Sequence, residues 1–237
     1  MVFIMSNYII KVFSAIFLGS ALFSAACSEV KSSLDTAAAN PGDRIQITAP
    51  SVSPTPKTAK GEQTAVFAGG CFWGVEAVFE HVKGVSNVTS GYSGGTAETA
   101  DYDTVSGGET GHAEAVKITY DPAQISYEQL LKVFFAVAHD PTELNKQGPD
   151  TGTQYRSAIF YTNDEQKIQA EKYVAEMTAA KTFPRPIVTQ IVSLKEFYNA
   201  EDYHQDYLVN HPTQPYIVVN DQPKVDNLRK QFADLYK

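Results

Sequence analysis

The chain has 237 residues, of which 43% are hydrophobic, 11% aromatic and 19% charged, so it can bury a sizeable core and is no disordered tail. With 19 Lys+Arg against 27 Asp+Glu the formal net charge is -8, which lacks the basic footprint of a nucleic-acid binder and excludes nucleic acid as a partner. The only cysteines, Cys27 and Cys71, can build neither a disulfide framework nor a multi-thiolate metal cluster within one chain.

In chain order, residues 1–27 read as an export signal. No side chain between Lys11 and Glu29 is charged, Val12 to Ala26 is apolar or small throughout, and Ser24-Ala25-Ala26 forms a small-residue exit. The apolar centre is short beside the ~20 residues of a membrane span; a retained membrane helix is the competing reading. A start at Met5 would give a conventional short n-region. Cys27 directly follows Ala25-Ala26 and resembles the lipidated cysteine of a bacterial lipobox, with Ser24 where leucine is usual. Lipidation would make Cys27 a membrane tether; plain secretion would leave it a free or oxidised thiol. Either way the mature chain is expected to be exported, as a periplasmic protein or a membrane-anchored lipoprotein. Residues 28–61 are rich in Ser, Thr, Ala and Pro without periodicity and read as a flexible linker spanning on the order of 30 Å; a merely disordered N-terminus would look the same.

Residues 62–237 read as one catalytic domain, because no second linker or repeat interrupts them. Thr64 to Ala68 predicts a strand, Gly69-Gly70 a turn, and apolar residues at 72, 75, 78, 79 and 82 a helix over Phe72 to Val82. Val116, Ile118 and Tyr120 alternate as one strand face that begins with Glu114. Ser126 and Gln129 form a capping box that opens a helix with Tyr127, Leu130, Leu131, Phe134, Phe135 and Ala138 on one face. Arg156 to Tyr161 and Ile187 to Leu194 predict strands, with a helix between them over about 164–180 and another from Lys224. Interleaved strands and helices predict an α+β chain in which helices pack on a sheet.

Cys71 follows two glycines at a predicted helix start, where outward N–H groups and the macrodipole favour a thiolate. Phe72 and Trp73, the sole tryptophan, put two aromatic faces beside it and suggest an apolar pocket for a small group. An unpaired cysteine is more often a small buried hydrophobe; the position after Gly-Gly favours a reactive one. Glu114, on a strand face otherwise apolar, is expected to hold its proton near neutral pH and to be able to donate it; a partly exposed strand-end glutamate is the plainer alternative.

Gly70-Cys71-Phe72-Trp73-Gly74 resembles the signature of the peptide methionine sulfoxide reductase A family. Gly91-Tyr92-Ser93-Gly94-Gly95, Gly111-His112-Ala113-Glu114-Ala115-Val116, His139-Asp140-Pro141 and Gly152-Thr153-Gln154-Tyr155-Arg156-Ser157 resemble further blocks of that family, in order. The resemblance implies a two-layer α/β sandwich of ferredoxin-like arrangement, with a mixed sheet, packed helices and a long coil C-terminal tail. It implies reduction of methionine S-sulfoxide, free or in oxidised proteins, by Cys71 as nucleophile and Glu114 as proton donor, through a sulfenic acid. It further implies that Tyr92, Asp150 and Tyr155 hold the sulfoxide oxygen or organise Glu114 and water, and that Phe72 and Trp73 receive the substrate methyl. His112 would neighbour Glu114 without facing it, and His81, His139, His204 and His211 are assigned to structure or surface.

Many members of that family carry further cysteines near the C-terminus; none follows Cys71 here. A single-cysteine cycle is therefore expected, with the sulfenic acid reduced by an external thiol from a thioredoxin-like or glutaredoxin-like protein or a small thiol. Cys27 is the only internal competitor. No bound cofactor and no metal are expected, because neither a ligand-spaced set nor a dinucleotide loop is present. Two rivals stand beside this reading: a Cys–His hydrolase, and a non-catalytic module that binds oxidised methionine through Phe72 and Trp73.

Overall fold

The computed structural model describes residues 61–237. The export signal, the Cys27 site and the linker up to residue 60 lie outside the described residues.

Six strands form one sheet. β1 (Gln63–Gly69), β2 (Val85–Ser93), β3 (Ala113–Tyr120) and β6 (Ser157–Tyr161) run in the spatial order β6-β1-β3-β2, all neighbours antiparallel. The helix α1 (Phe72–Glu80) connects β1 to β2, and α3 (Tyr127–Val133) lies on the path from β3 to β6, so this core has the ferredoxin-like order. The sheet is mixed because β7 (Gln190–Ser193) adds to β6 in parallel, while β8 (Tyr198–Asn199) adds antiparallel to β2 at the other edge. A two-residue pair, β4 (Lys146–Gln147) and β5 (Asp150–Thr151), forms a separate small hairpin.

Side-chain alternation decides which face each strand buries. Ala65, Phe67, Val116, Ile118, Tyr120 and Ile159 face the helical layer, where they meet Val75, Val78 and Phe79 of α1 and Leu130 and Leu131 of α3. The opposite face, built of Val66, Ala68, Ala113, Ala115, Ala158 and Phe160, is covered by Leu194 and Phe197. Phe67 stacks on Phe134 at 4.8 Å between ring centroids, which ties the middle strand to the helix end. α4 (Asp164–Ala179), capped by the Asn163 side chain on the Gln166 N–H, places Ala170, Tyr173 and Met177 in the same core.

The capping box forms as expected: Ser126 Oγ accepts from the Gln129 N–H at 3.2 Å, and the Gln129 side chain accepts from the Ser126 N–H at 2.9 Å. Beyond Val133 the helix widens into a π segment over Phe134–Ala138. Three differences from the sequence reading stand out. α1 ends at Glu80 rather than Val82, and the strand sought over Ile187 to Leu194 is confined to Gln190–Ser193. The block around Tyr92 lies at the end of β2, a strand for which the sequence carried no expectation. The C-terminal stretch after β8 is coil punctuated by short helical turns, α5 (Tyr207–Asn210) and a π turn over Ile217–Asp221, before α6 (Gln222–Gln231). A further turn, α2 (Tyr102–Val105), lies between β2 and β3. Among the described residues, no helix is long and apolar enough to cross a membrane.

Candidate active site

The end of β1 delivers the cysteine. Gly70 turns the chain at φ +90°, a conformation that strains any residue with a Cβ, and Cys71 becomes the N-cap of α1 with φ −51° and ψ 124°. The antiparallel register of Phe67 with Val116, carried on by two residues, brings Glu114 level with that turn. Glu114 Oε2 accepts a hydrogen bond from the Phe72 N–H at 3.0 Å. The first free N–H of α1 is therefore taken by the carboxyl, and nucleophile and acid share one helix end.

Both groups are sequestered: Cys71 is 7% exposed and Glu114 2%. Burial raises Glu114 to about 8 against the Phe72 N–H, with the charges of Asp150 and Asp221 adding to the rise. The carboxyl is thus protonated at neutral pH, as its apolar strand face suggested. For Cys71 the helix start does not prevail. Burial, then the charges of Glu114 and Asp221, hold the thiol well above its ordinary 9.0, although Lys224 and the Trp73 N–H favour the anion. The expectation that the helix start favours a thiolate is corrected here: burial, with the charges of Glu114 and Asp221, outweighs the groups that favour the anion.

Phe72 and Trp73 both stand beside Cys71 at the start of α1, and further rings pack against them. Phe72 is buried and its ring lies 5.8 Å from Tyr92 and 5.0 Å from His204. Trp73 stacks face to face on Tyr207 at 3.7 Å, has Tyr216 at its edge, and donates its indole N–H to His204 Nδ1 at 3.1 Å. Since an indole N–H only donates, His204 Nδ1 carries no proton; burial also lowers its affinity for a second one.

Tyr92 pairs directly with Glu114 across β2 and β3, yet its hydroxyl donates to Glu201 Oε2 at 2.9 Å. Glu201 also accepts from the Tyr102 N–H at 2.9 Å. Asp150 accepts a short hydrogen bond from the Tyr216 hydroxyl, and burial raises its carboxyl above the usual range. Tyr155 stands within electrostatic reach of Glu114, Asp150 and Cys71, with burial the main reason its phenol stays protonated. The structure therefore brings Cys71, Phe72, Trp73, Tyr92, Glu114, Asp150 and Tyr155 to one end of the sheet. His112 lies elsewhere in effect: its two ring nitrogens are held by the Gly95 N–H and the Thr96 carbonyl.

The C-terminal tail contributes a share of the site that local sequence pattern does not announce. Glu201, His204, Tyr207, Tyr216, Asp221 and Lys224 complete the site, and His204 in particular is no surface histidine but is 2% exposed among Phe72, Trp73 and Tyr102. The one signal available was the chain order Gln214-Pro215-Tyr216 followed by Asp221 and Lys224 at helical spacing. Among the described residues, no group of three or more His, Cys, Asp or Glu side chains could hold a metal ion.

Comparisons with known proteins place the chain among relatives of one family. The family model described as peptide methionine sulfoxide reductase matches residues 63–236. A peptide methionine sulfoxide reductase MsrA 2 of Mesorhizobium japonicum is 60% identical over 180 residues, covering 76% of this chain and 92% of the relative. An MsrA of Deinococcus radiodurans is 52% identical, covering 73% and 84%. Among solved structures, reduced Mxr1 from Saccharomyces cerevisiae superposes with a TM-score of 0.61 at 32% identity, covering 71% of this chain and 94% of that one. Methionine sulfoxide reductase A of Corynebacterium diphtheriae gives 0.56 at 35% identity, covering 70% and 85%.

Proposed function

The chain belongs to the peptide methionine sulfoxide reductase family and reduces methionine sulfoxide to methionine, and we propose that Cys71 is its nucleophile and Glu114 its proton donor. The observation that carries this assignment is the Phe72 N–H to Glu114 hydrogen bond, which fixes a neutral carboxyl beside the cysteine at the head of α1.

The sulfoxide methyl enters between Phe72 and Trp73, which His204 and Tyr207 hold in place. The Cys71 sulfur attacks the sulfoxide sulfur while Glu114 gives its proton to the oxygen, because an unprotonated oxide is a poor leaving group in a low-dielectric pocket. In sum, Cys71–SH and R–S(O)–CH₃ become Cys71–SOH and R–S–CH₃: the oxygen moves to Cys71, and the methionine sulfur regains its electron pair. The protonated phenols of Tyr155 and Tyr216 and the Asp150 carboxyl line the side where the oxygen develops charge. A chiral sulfoxide with its methyl in this cage presents its oxygen to Glu114 in one configuration, so turnover of a single epimer is expected, the S epimer being the one the family implies.

No cysteine follows Cys71, which supports direct recycling by outside thiols. The first thiol converts Cys71–SOH to a mixed disulfide and water; the second releases Cys71–SH and the oxidised reductant. A thioredoxin-like or glutaredoxin-like protein, or a small thiol, fits this role. The apolar run up to Ala26 and the position of Cys27 support export with Cys27 as a lipid anchor, which membrane fractionation of the wild type against Cys27→Ser checks.

Methionine release from resolved sulfoxide epimers, with the mass and thiol count of the chain after one equivalent, tests the whole scheme. Cys71→Ser should still bind sulfoxide and release nothing. Reductase activity in that variant, or a Cys27–Cys71 disulfide after turnover, overturns the assignment. The hydrolase reading predicts cleavage of an ester or amide and no methionine from sulfoxide.

A further inference from the structure

Oxygen transfer as such requires no buried ion pair behind the nucleophile, yet one is present. Lys224 Nζ donates to Asp221 Oδ1 at 3.0 Å, with the Asp221 side chain fully buried and the Lys224 side chain 13% exposed. Replacing such a pair by apolar side chains is commonly neutral or stabilising, so its presence calls for a role other than stability. Asp221 Oδ2 has no hydrogen-bond partner among the described residues, a further cost that packing alone does not explain.

The pair is seated against the first turn of α1. A Cβ added to Gly74, three residues beyond Cys71, would lie 2.1 Å from Asp221 Oδ1 and 2.7 Å from Lys224 Nζ. Glycine at 74 is what admits two charged side chains so near the cysteine. Around the sulfur stand Glu114 from β3, Asp150 from β5, the phenols of Tyr102, Tyr155 and Tyr216, and this pair. Glu114 and Asp221 oppose an anion on Cys71, while Lys224 favours it. Asp221 also opposes an anion on Glu114.

The reaction needs the proton on Glu114 and the negative charge on Cys71. On that reading of the two residues, we propose that Lys224 is a positioning residue for the reduction: seated by Asp221 in the notch left at Gly74, it supplies the counter-charge for the Cys71 thiolate and leaves the shared proton on Glu114. Asp221 holds the lysine there and, by its own charge, keeps Glu114 neutral.

The test is the pH dependence of iodoacetamide alkylation at Cys71 in the full chain, read by peptide mass. Lys224→Met should move the midpoint up by about one pH unit, Lys224→Arg should leave it near the wild type, and Asp221→Asn, whose amide oxygen still accepts from Lys224 while the opposing charge is gone, should move it down. The opposed directions matter, since disturbed packing would shift both single variants alike. A variant carrying both Asp221→Asn and Lys224→Met leaves no unpaired buried charge, and its midpoint should fall below that of Lys224→Met alone. An unmoved midpoint in Lys224→Met, shifts of one sign in both single variants, or a double variant no lower than Lys224→Met overturns the inference. Methionine release by the wild type is scored alongside: its absence defeats the assignment of Cys71 and Glu114, whereas turnover with an unmoved Lys224→Met midpoint defeats only the role of Lys224.

Discussion

Glu114 and Cys71 compete for protons in an order that shapes the pH profile. The acid must be protonated, and its fraction falls as pH rises through about 8; the thiolate grows only at higher pH, since burial holds Cys71 well above 9.0. The value of kcat/KM in methionine release is therefore expected to be bell-shaped, with its maximum between about 8 and the thiol's higher value. Glu114→Gln should lower kcat by about 100- to 10,000-fold and abolish the dependence on deprotonation near 8. A steady-state profile from pH 6 to 10 checks both. His204 acts through Trp73: without the acceptor at 3.1 Å the indole loses its fixed orientation, so His204→Ala should raise KM roughly tenfold, the worth of about one buried hydrogen bond, and lower kcat less.

At the scale of elements, α1 carries a second set of carboxyls on the side away from Cys71. Glu76 is buried, with its Oε1 accepting from the Ser90 N–H at 3.3 Å; Glu80 lines a polar cavity of about 470 Å³ together with Asp202 and Asp206. Burial raises Glu76 from 4.5 to about 7 and Glu80 from 4.5 to about 8, the latter helped by its hydrogen bond with Asp206. Both folded values lie above the unfolded one, so the stability linked to them is complete below 4.5 and is lost as pH rises through about 7 to 8. Thermal unfolding midpoints should fall over that window, and Glu80→Gln should flatten part of the fall. At α3 the capping box meets two helix-end N–H demands with two side-chain groups. Ser126→Ala should cost about 1 kcal/mol in denaturant unfolding and leave kcat unchanged, because this end of α3 lies outside the catalytic cluster. The π turn over Phe134–Ala138 was invisible beforehand, since one extra residue per turn hardly disturbs a short apolar pattern. β2 was missed because Ser86, Asn87, Thr89, Ser90 and Gly91 dilute the alternation by which a strand is recognised.

For the whole molecule, the site groups named above all lie within residues 61–237, so removal of residues 1–60 is expected to leave kcat with free methionine sulfoxide unchanged in a direct turnover assay. The tail acts in the opposite sense. It supplies Glu201, His204, Tyr207, Tyr216, Asp221 and Lys224 to the site, and Ile217, Val225 and Leu228 to the core. The sequence by itself determined the turn that sets Cys71 at the start of a helix and the strands β1, β3 and β6, because each is a local matter: Gly70 before Cys71 makes a turn into a helix, and Glu114 with Val116, Ile118 and Tyr120 shares one strand face by simple alternation. Only the tertiary structure decided the protonation of Cys71 and the partners of Trp73, Tyr92 and Asp150. Desolvation depends on how many neighbours surround an atom, and those neighbours arrive from residues 131 away for Trp73 and His204 and 109 away for Tyr92 and Glu201, a distance over which no local periodicity carries information.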